Sequence, residues 1–193
     1  MHTDLILFLA AAMFSPGPNI IMLTNSGARF GLRATIPHLI GVVVGVGIIG
    51  ASSGLGIGAL IVAMPKLRFA LQVASAVWIL VLAFRLLSAK SSEQNTKAAR
   101  SMGFWQAVAF QWVNPKIWVI ALAASAGYLA GASPIAEALK MGIAFSSVNF
   151  FVCAFWTYCG VLLTQLLKSE RSWNSFRIIM ATFLALSAGL VFW

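Results

Sequence analysis

Apolar residues fill this chain in blocks of about 20 or more positions, and the polar and basic residues gather between the blocks. About 20 residues is the length a helix needs to cross a ~30 Å hydrocarbon core. Six spans are predicted. The first runs from about Leu5 to Ser26, the second from Ile36 to Met64 and the third from Phe69 to Ser88. A polar linker, Ala89 to Gly103, precedes a fourth span over Phe104 to Tyr128. The fifth lies within Pro134 to Leu167, too long for one upright helix and so tilted, broken or preceded by an interfacial piece. The sixth runs from Phe176 to Trp193, an aromatic suited to the membrane interface.

Two spans contain proline motifs: Ser15, Pro16, Gly17, Pro18 and Asn19 in the first, Val113, Asn114, Pro115 and Lys116 in the fourth. Proline has no N–H for the carbonyl four residues back. Pro16 and Pro18 therefore release the carbonyls of Ala12 and Phe14, and Pro115 releases that of Gln111. Such groups are costly in hydrocarbon unless protein or a water-filled cavity satisfies them, and paired broken helices point to a transporter's binding site.

The breaks sit at matching places. Pro18 to Pro115, Pro37 to Pro134 and Gly45 to Gly142 are each 97 positions, about half the chain, as two diverged copies would be. The expected architecture is a single all-α transmembrane domain over 1–193, with repeat one about 1–88, a linker at 89–103 and repeat two about 104–193. Three spans per copy is odd, so the second copy would cross the membrane inverted. The second span is rich in glycine (Gly41, Gly45, Gly47, Gly50, Gly54, Gly56, Gly58), with four-residue spacings that let backbones approach closely.

Composition agrees. The chain is 61% hydrophobic and 9% charged, against about 25% charged in soluble domains. Its net charge of +9 lies mostly in short loops, so it reads as a topology signal rather than a nucleic-acid footprint. Arg29, Arg33, Arg85, Lys90, Lys97, Arg100, Lys168, Arg171 and Arg177 fall on one side; Lys66, Arg68 and Lys140 fall on the other. The rich side is cytoplasmic by the positive-inside rule, with both termini outside. Met1 to Asp4 carry no positive n-region, so the first apolar run is expected to be retained rather than cleaved.

Lys116 is the charge set furthest inside an apolar span, which makes it a functional candidate by default. It could hold a substrate carboxylate, lose a proton in a coupling cycle, or donate to the carbonyls that the prolines release. Asn19 falls opposite Lys116 at the 97-residue offset, and Asn114 precedes Pro115 as Gly17 precedes Pro18. Their amides offer donors and acceptors to a zwitterion, or serve the broken backbone. Gln111, Asn149, Tyr158, Ser146 and Ser147 are either interhelical hydrogen-bond partners or ligand contacts. His38 could titrate near neutrality, Glu137 and Lys140 suit an interfacial ion pair, and Cys153 and Cys159 read as small buried residues.

The acidic residues are only Asp4, Glu93, Glu137 and Glu170, none central in a span, so a divalent-metal transporter lacks its ligands. No nucleophile with a base or metal and no phosphate loop is apparent, so neither an enzyme nor an ATP-driven pump is expected, and no cofactor.

The residues resemble the LysE/RhtB family of amino-acid exporters. The likeness rests on the first-span motif, on Gly27, Ala28, Arg29, Phe30 and Gly31, and on Phe110, Gln111, Trp112, Val113, Asn114, Pro115 and Lys116. The Phe-Gln-x-Val-Asn run is similar to the branch exporting cysteine and O-acetylserine. The resemblance implies export of small amino acids or derivatives across a bacterial inner membrane, driven by the proton gradient. It carries Pro16, Gly17, Pro18 and Asn19, with Asn114, Pro115 and Lys116, over as motif residues. Proton coupling then has no central carboxylate, leaving Lys116, the substrate amine or His38 as carriers. The expected function is secondary export of a small, mostly neutral amino acid from the cytoplasm across the lipid bilayer, with the amino acid and protons as partners. The candidate substrate site comprises Ser15, Pro16, Gly17, Pro18, Asn19, Gln111, Asn114, Pro115, Lys116 and Asn149. A scaffold assembling through the glycine-rich span and a passive channel are the alternatives, and the small-residue faces also suit a homodimer.

Overall fold

A computed structural model describes residues 2–15, 17–57, 63–88, 101–164, 167 and 169–189. Among them are seven helices and no strand. They are α1 (His2–Phe14), α2 (Pro18–Gly54), α3 (Pro65–Ser88), α4 (Phe104–Trp112), α5 (Pro115–Tyr128), α6 (Pro134–Leu163) and α7 (Glu170–Gly189). Pro16, Gly58, most of the 89–103 linker, Lys168 and Trp193 lie outside the described residues.

Both expected breaks are present. Gly17 (φ −170°, ψ 178°) and Asn114 (φ −87°, ψ 102°) are extended, as residues before proline prefer, and Pro18 and Pro115 each occupy the first position of a new helix. The axes of α4 and α5 differ by 60° across the second break. The fifth span is one unbroken helix of 30 residues, started by Ser133, whose Oγ accepts from the Ala136 N–H, and by Pro134. Its length, about 45 Å at 1.5 Å per residue, exceeds the hydrocarbon thickness.

The basic stretch expected to be a loop between spans one and two is instead helical on both sides of Gly31, which alone departs from helical geometry (φ 76°, ψ 172°). Only glycine adopts that φ cheaply, so one residue redirects the chain where a loop was predicted. The Thr35 hydroxyl donates to the Gly31 carbonyl at 2.8 Å and steadies the restart. The helices over the third and sixth predicted spans begin earlier than expected, at Pro65 and Glu170.

Three helices are long and apolar enough to cross a membrane (α2, the Phe69–Ser88 part of α3, and α6), and the bent α4–α5 pair makes a fourth. The surface agrees: Phe84, Ile135 and Phe151 are each at least 70% exposed, while Gln111, His38 and Thr157 are at most 1% exposed. Apolar side chains outside and polar ones inside is the distribution that lipid rewards. This is a multi-pass membrane protein.

The core is the pairing of α2 with α6. A Cβ at Gly50 would sit 2.7 Å from the Phe145 ring, and one at Gly54 2.7 Å from the Glu137 carbonyl oxygen. On another face of α2, a Cβ at Gly45 would meet Gln111 Cγ at 2.6 Å. The glycines expected to permit close approach therefore do so within the chain, against α6 and α4. α1 packs on α6 and α5, and α3 pairs with α7. Glu137, 4% exposed, fastens the α5–α6 loop. It accepts from the Ala130 and Ala132 N–H groups (2.7 and 3.2 Å) and pairs with Lys140 at 3.0 Å, the ion pair expected there.

Replacing Gly50 or Gly45 by leucine is expected to force α2 off its neighbours, costing at least the ~1–3 kcal/mol typical of overpacking. Gly127→Leu, where a Cβ would meet nothing within 4 Å, should cost nothing comparable. The check is the midpoint of thermal unfolding of the purified variants in detergent.

Candidate functional site

The two breaks meet. Gly17, Asn19, Ile20, Asn114, Lys116, Ile117 and Asn149 line a cavity of about 20 Å³ with Met13 and Cys153. It lies at the N-terminal turns of both α2 and α5, whose unpaired N–H groups and helix dipoles make its surroundings electropositive. Lys116 adds a full charge.

Two of the three released carbonyls, and two more at the end of α4, are satisfied without the asparagine side chains. The Ala12 carbonyl accepts from Ser15 Oγ at 2.8 Å, and the Gln111 carbonyl accepts from the Asn114 N–H at 3.1 Å. The Trp112 carbonyl accepts from Trp118 Nε1 at 3.0 Å, and the Val113 carbonyl accepts from Ser75 Oγ on α3. Lys116 Nζ donates to the Ser15 carbonyl and, at 2.9 Å, to Ser15 Oγ. The lysine thus closes the end of α1 from α5, through Ser15 rather than through the Ala12, Phe14 or Gln111 carbonyls weighed for it. Gly17 makes this possible, because a Cβ there would meet Lys116 Cδ at 2.9 Å.

The side-chain amides form a separate system. Asn19 and Gln111 exchange two hydrogen bonds, Asn19 Nδ2 to Oε1 at 2.8 Å and Gln111 Nε2 to Oδ1 at 3.1 Å. Gln111 Nε2 also donates to the Ala107 carbonyl at 3.0 Å, and Asn114 Nδ2 reaches Gln111 Oε1 at 3.4 Å. Among the described residues the buried acceptor Asn114 Oδ1 has no partner, and the donor Asn149 Nδ2 has only the Cys153 thiol of its own helix beside it. Burial of such atoms unpaired is uncommon, and they are open to a ligand or a water.

Of the residues proposed from sequence, Gly17, Asn19, Asn114, Lys116 and Asn149 line this cavity. Gln111 and Ser15 join through hydrogen bonds, although Ser15 itself is exposed. Pro18 and Pro115 set the helix starts, and Pro16 lies outside the described residues. Tyr158 is exposed, and Ser146 and Ser147 are not in the lining. Cys153 belongs to it although the sequence marked it only as a small buried residue; its position one turn after Asn149 was the available signal. Ser75 and Trp118, which close the second break, carried no such signal.

Comparison with known proteins decides the class. Residues 10–192 match the family described as LysE type translocator. The chain belongs to that family. The translocator is also 25% identical, over 181 residues, to proteins named cysteine/O-acetylserine efflux protein in Salmonella typhimurium and Salmonella typhi, covering 93% of this chain and 91% of each relative. No solved structure matches it.

Removing one partner of a buried amide pair strands the other. Asn19→Leu and Gln111→Leu are each expected to lower stability by about 1–3 kcal/mol, and the double variant should lose less than the sum of the two. Denaturation of the two single and the double variants measures that coupling; strict additivity would show that the pair is energetically idle.

Proposed function

We propose that the translocator is a secondary exporter of small, mostly neutral amino acids or their derivatives, of the cysteine, O-acetylserine or homoserine and threonine kind, out of the bacterial cytoplasm. The single observation that carries this is one cavity lined by Lys116, Asn114 and Asn149 at two helix N-termini, where Asn114 Oδ1 has no partner among the described residues. A carboxylate is matched by the lysine, the Asn149 N–H and the helix ends, and an ammonium by the Asn114 oxygen. Met13, Ile20, Ile117 and Cys153 offer an apolar wall to a small side chain. The family and the names of the relatives support the same class of cargo.

At about 20 Å³ the cavity holds roughly one water and no amino acid. The conformation described is therefore closed around its site, and loading requires the halves to part. Six spans follow if α1 with the first part of α2 is one broken span, the rest of α2 is the next, and α7 is the last. Contacts agree with two equivalent halves: α2 pairs with α6, α3 pairs with α7, and the packing of α4 on α2 mirrors that of α1 on α6. We retain the inverted arrangement, both termini outside, and proton coupling with Lys116, the substrate amine or His38 as carrier.

The scaffold alternative required the glycines of the second span for partners, but Gly45, Gly50 and Gly54 are spent on α4 and α6.

Proteoliposomes preloaded with labelled amino acids test the proposal. Saturable efflux of a few small neutral compounds, stimulated by a proton gradient, is expected; unsaturable flux would favour a passive channel. Lys116→Ala should abolish efflux and Asn149→Leu reduce it at least tenfold, with insertion unchanged. Normal transport by Lys116→Ala would remove the lysine from the mechanism.

A further inference from the structure

Along α6, Asn149, Cys153, Trp156 and Gly160 recur every third or fourth residue and so share a face, with Thr157 beside them. Asn149 and Cys153 line the central cavity. The face continues for about 16 Å from Asn149 to Gly160, roughly half the ~30 Å hydrocarbon thickness. It lies against the first part of α2, before the turn at Gly31, and runs toward the end where Arg29 and Arg33 mark the side read as cytoplasmic.

Two glycines close this seam. A Cβ at Gly27 would overlap the Thr157 carbonyl oxygen, and one at Gly160 the Thr24 carbonyl oxygen, so each helix lays backbone on the other. The Thr24 hydroxyl donates across it to the Trp156 carbonyl at 3.3 Å. Apolar side chains would serve close packing alone, yet Thr157 Oγ1 and Trp156 Nε1 are buried here without a partner among the described residues. Thr157 is 0% exposed. Its hydroxyl also forgoes the carbonyl one turn back, the ready acceptor for a hydroxyl on a helix, which Thr35 and Ser75 both take. A buried polar atom left unpaired is costly and calls for an explanation, and a conformation in which the seam is wet supplies one.

We infer that the seam between the first part of α2 and the end of α6 is the passage between the central site and the cytoplasmic side, and that the Thr157 hydroxyl lines it once Gly27 and Gly160 part from the opposing backbone. A hydroxyl donates and accepts and an indole N–H donates, which suits a zwitterion or the water that travels with it. Opening requires only the first part of α2 to swing. Gly17 and Gly31 already interrupt helical geometry at its two ends, while Gly50 and Gly54 keep the second part on α6. The inference rests on the exporter reading and adds to it the route by which cargo reaches the site.

The test places Thr157→Cys in proteoliposomes and supplies a membrane-impermeant thiol reagent on one side at a time. Wild-type protein gives the background of Cys153 and Cys159, and Arg33→Cys, at an exposed position, identifies the cytoplasmic side. During efflux Thr157→Cys should react above that background from the Arg33 side and lose transport as it does so. A second variant tests the hydroxyl itself. Thr157→Val keeps the shape and removes the unpaired group, so its unfolding midpoint should be unchanged or higher. Its maximal efflux rate should nevertheless fall about tenfold, the scale of one lost hydrogen bond, and Thr157→Ser should recover most of it. Wild-type efflux by Thr157→Val, or an inert Thr157→Cys in protein that still exports, overturns the passage and leaves the exporter standing. Labelling only from the side opposite Arg33 overturns it as well. Absence of wild-type efflux for every amino acid tried overturns the exporter reading itself, and the passage with it.

Discussion

Every peptide group in a membrane interior needs a partner, and this fold breaks two helices where that demand is hardest to meet. The way the breaks are repaired organises the rest. Each released carbonyl that finds a partner takes it from something near at hand: a serine hydroxyl one turn away, the next backbone N–H, a tryptophan indole, a serine from α3. Lys116 spans from one broken helix to the other. Because these groups do the repair, Asn114 Oδ1 keeps no partner among the described residues, and Asn149 Nδ2 keeps only the weak acceptor of the Cys153 thiol. A site arises from what the backbone leaves over.

Close packing of α2 on α6 makes that arrangement possible. Glycines at the contact bring the two helices together at backbone distance, with Gly50 against Phe145 and Gly54 against the Glu137 carbonyl. Asn149, two turns on from Met141 along the same helix, is carried by that packing to the breaks, where it could not reach across a bulkier seam.

The breaks were legible in the sequence because proline's missing N–H is a property of the residue alone, needing no knowledge of neighbours. Gly17, Asn19, Asn114 and Lys116 followed from their place beside the prolines. The turn at Gly31 was misread as a loop: Arg29 and Arg33 mark a membrane boundary equally well on a helix, and one positive φ suffices to turn it. Ser75 and Trp118 were invisible because they act through space on carbonyls of another segment, and nothing in a lone serine or tryptophan announces that. Neither could the sequence separate the two tasks of Lys116, since the distances decide which carbonyl it meets.

On the proposed function, the same charges set what can pass. Lys116 and two helix N-termini give the central site a positive balance without a single carboxylate, so a substrate must bring its own. A second cationic group on the cargo would stand within several ångströms of the ammonium. Two like charges 4 Å apart repel by about 4 kcal/mol at an effective dielectric of 20, roughly a thousandfold in binding. A neutral side chain meets instead Met13, Ile20, Ile117 and Cys153. On that proposal, selection against basic amino acids would need no steric filter: it would follow from the cation that also joins the two broken helices.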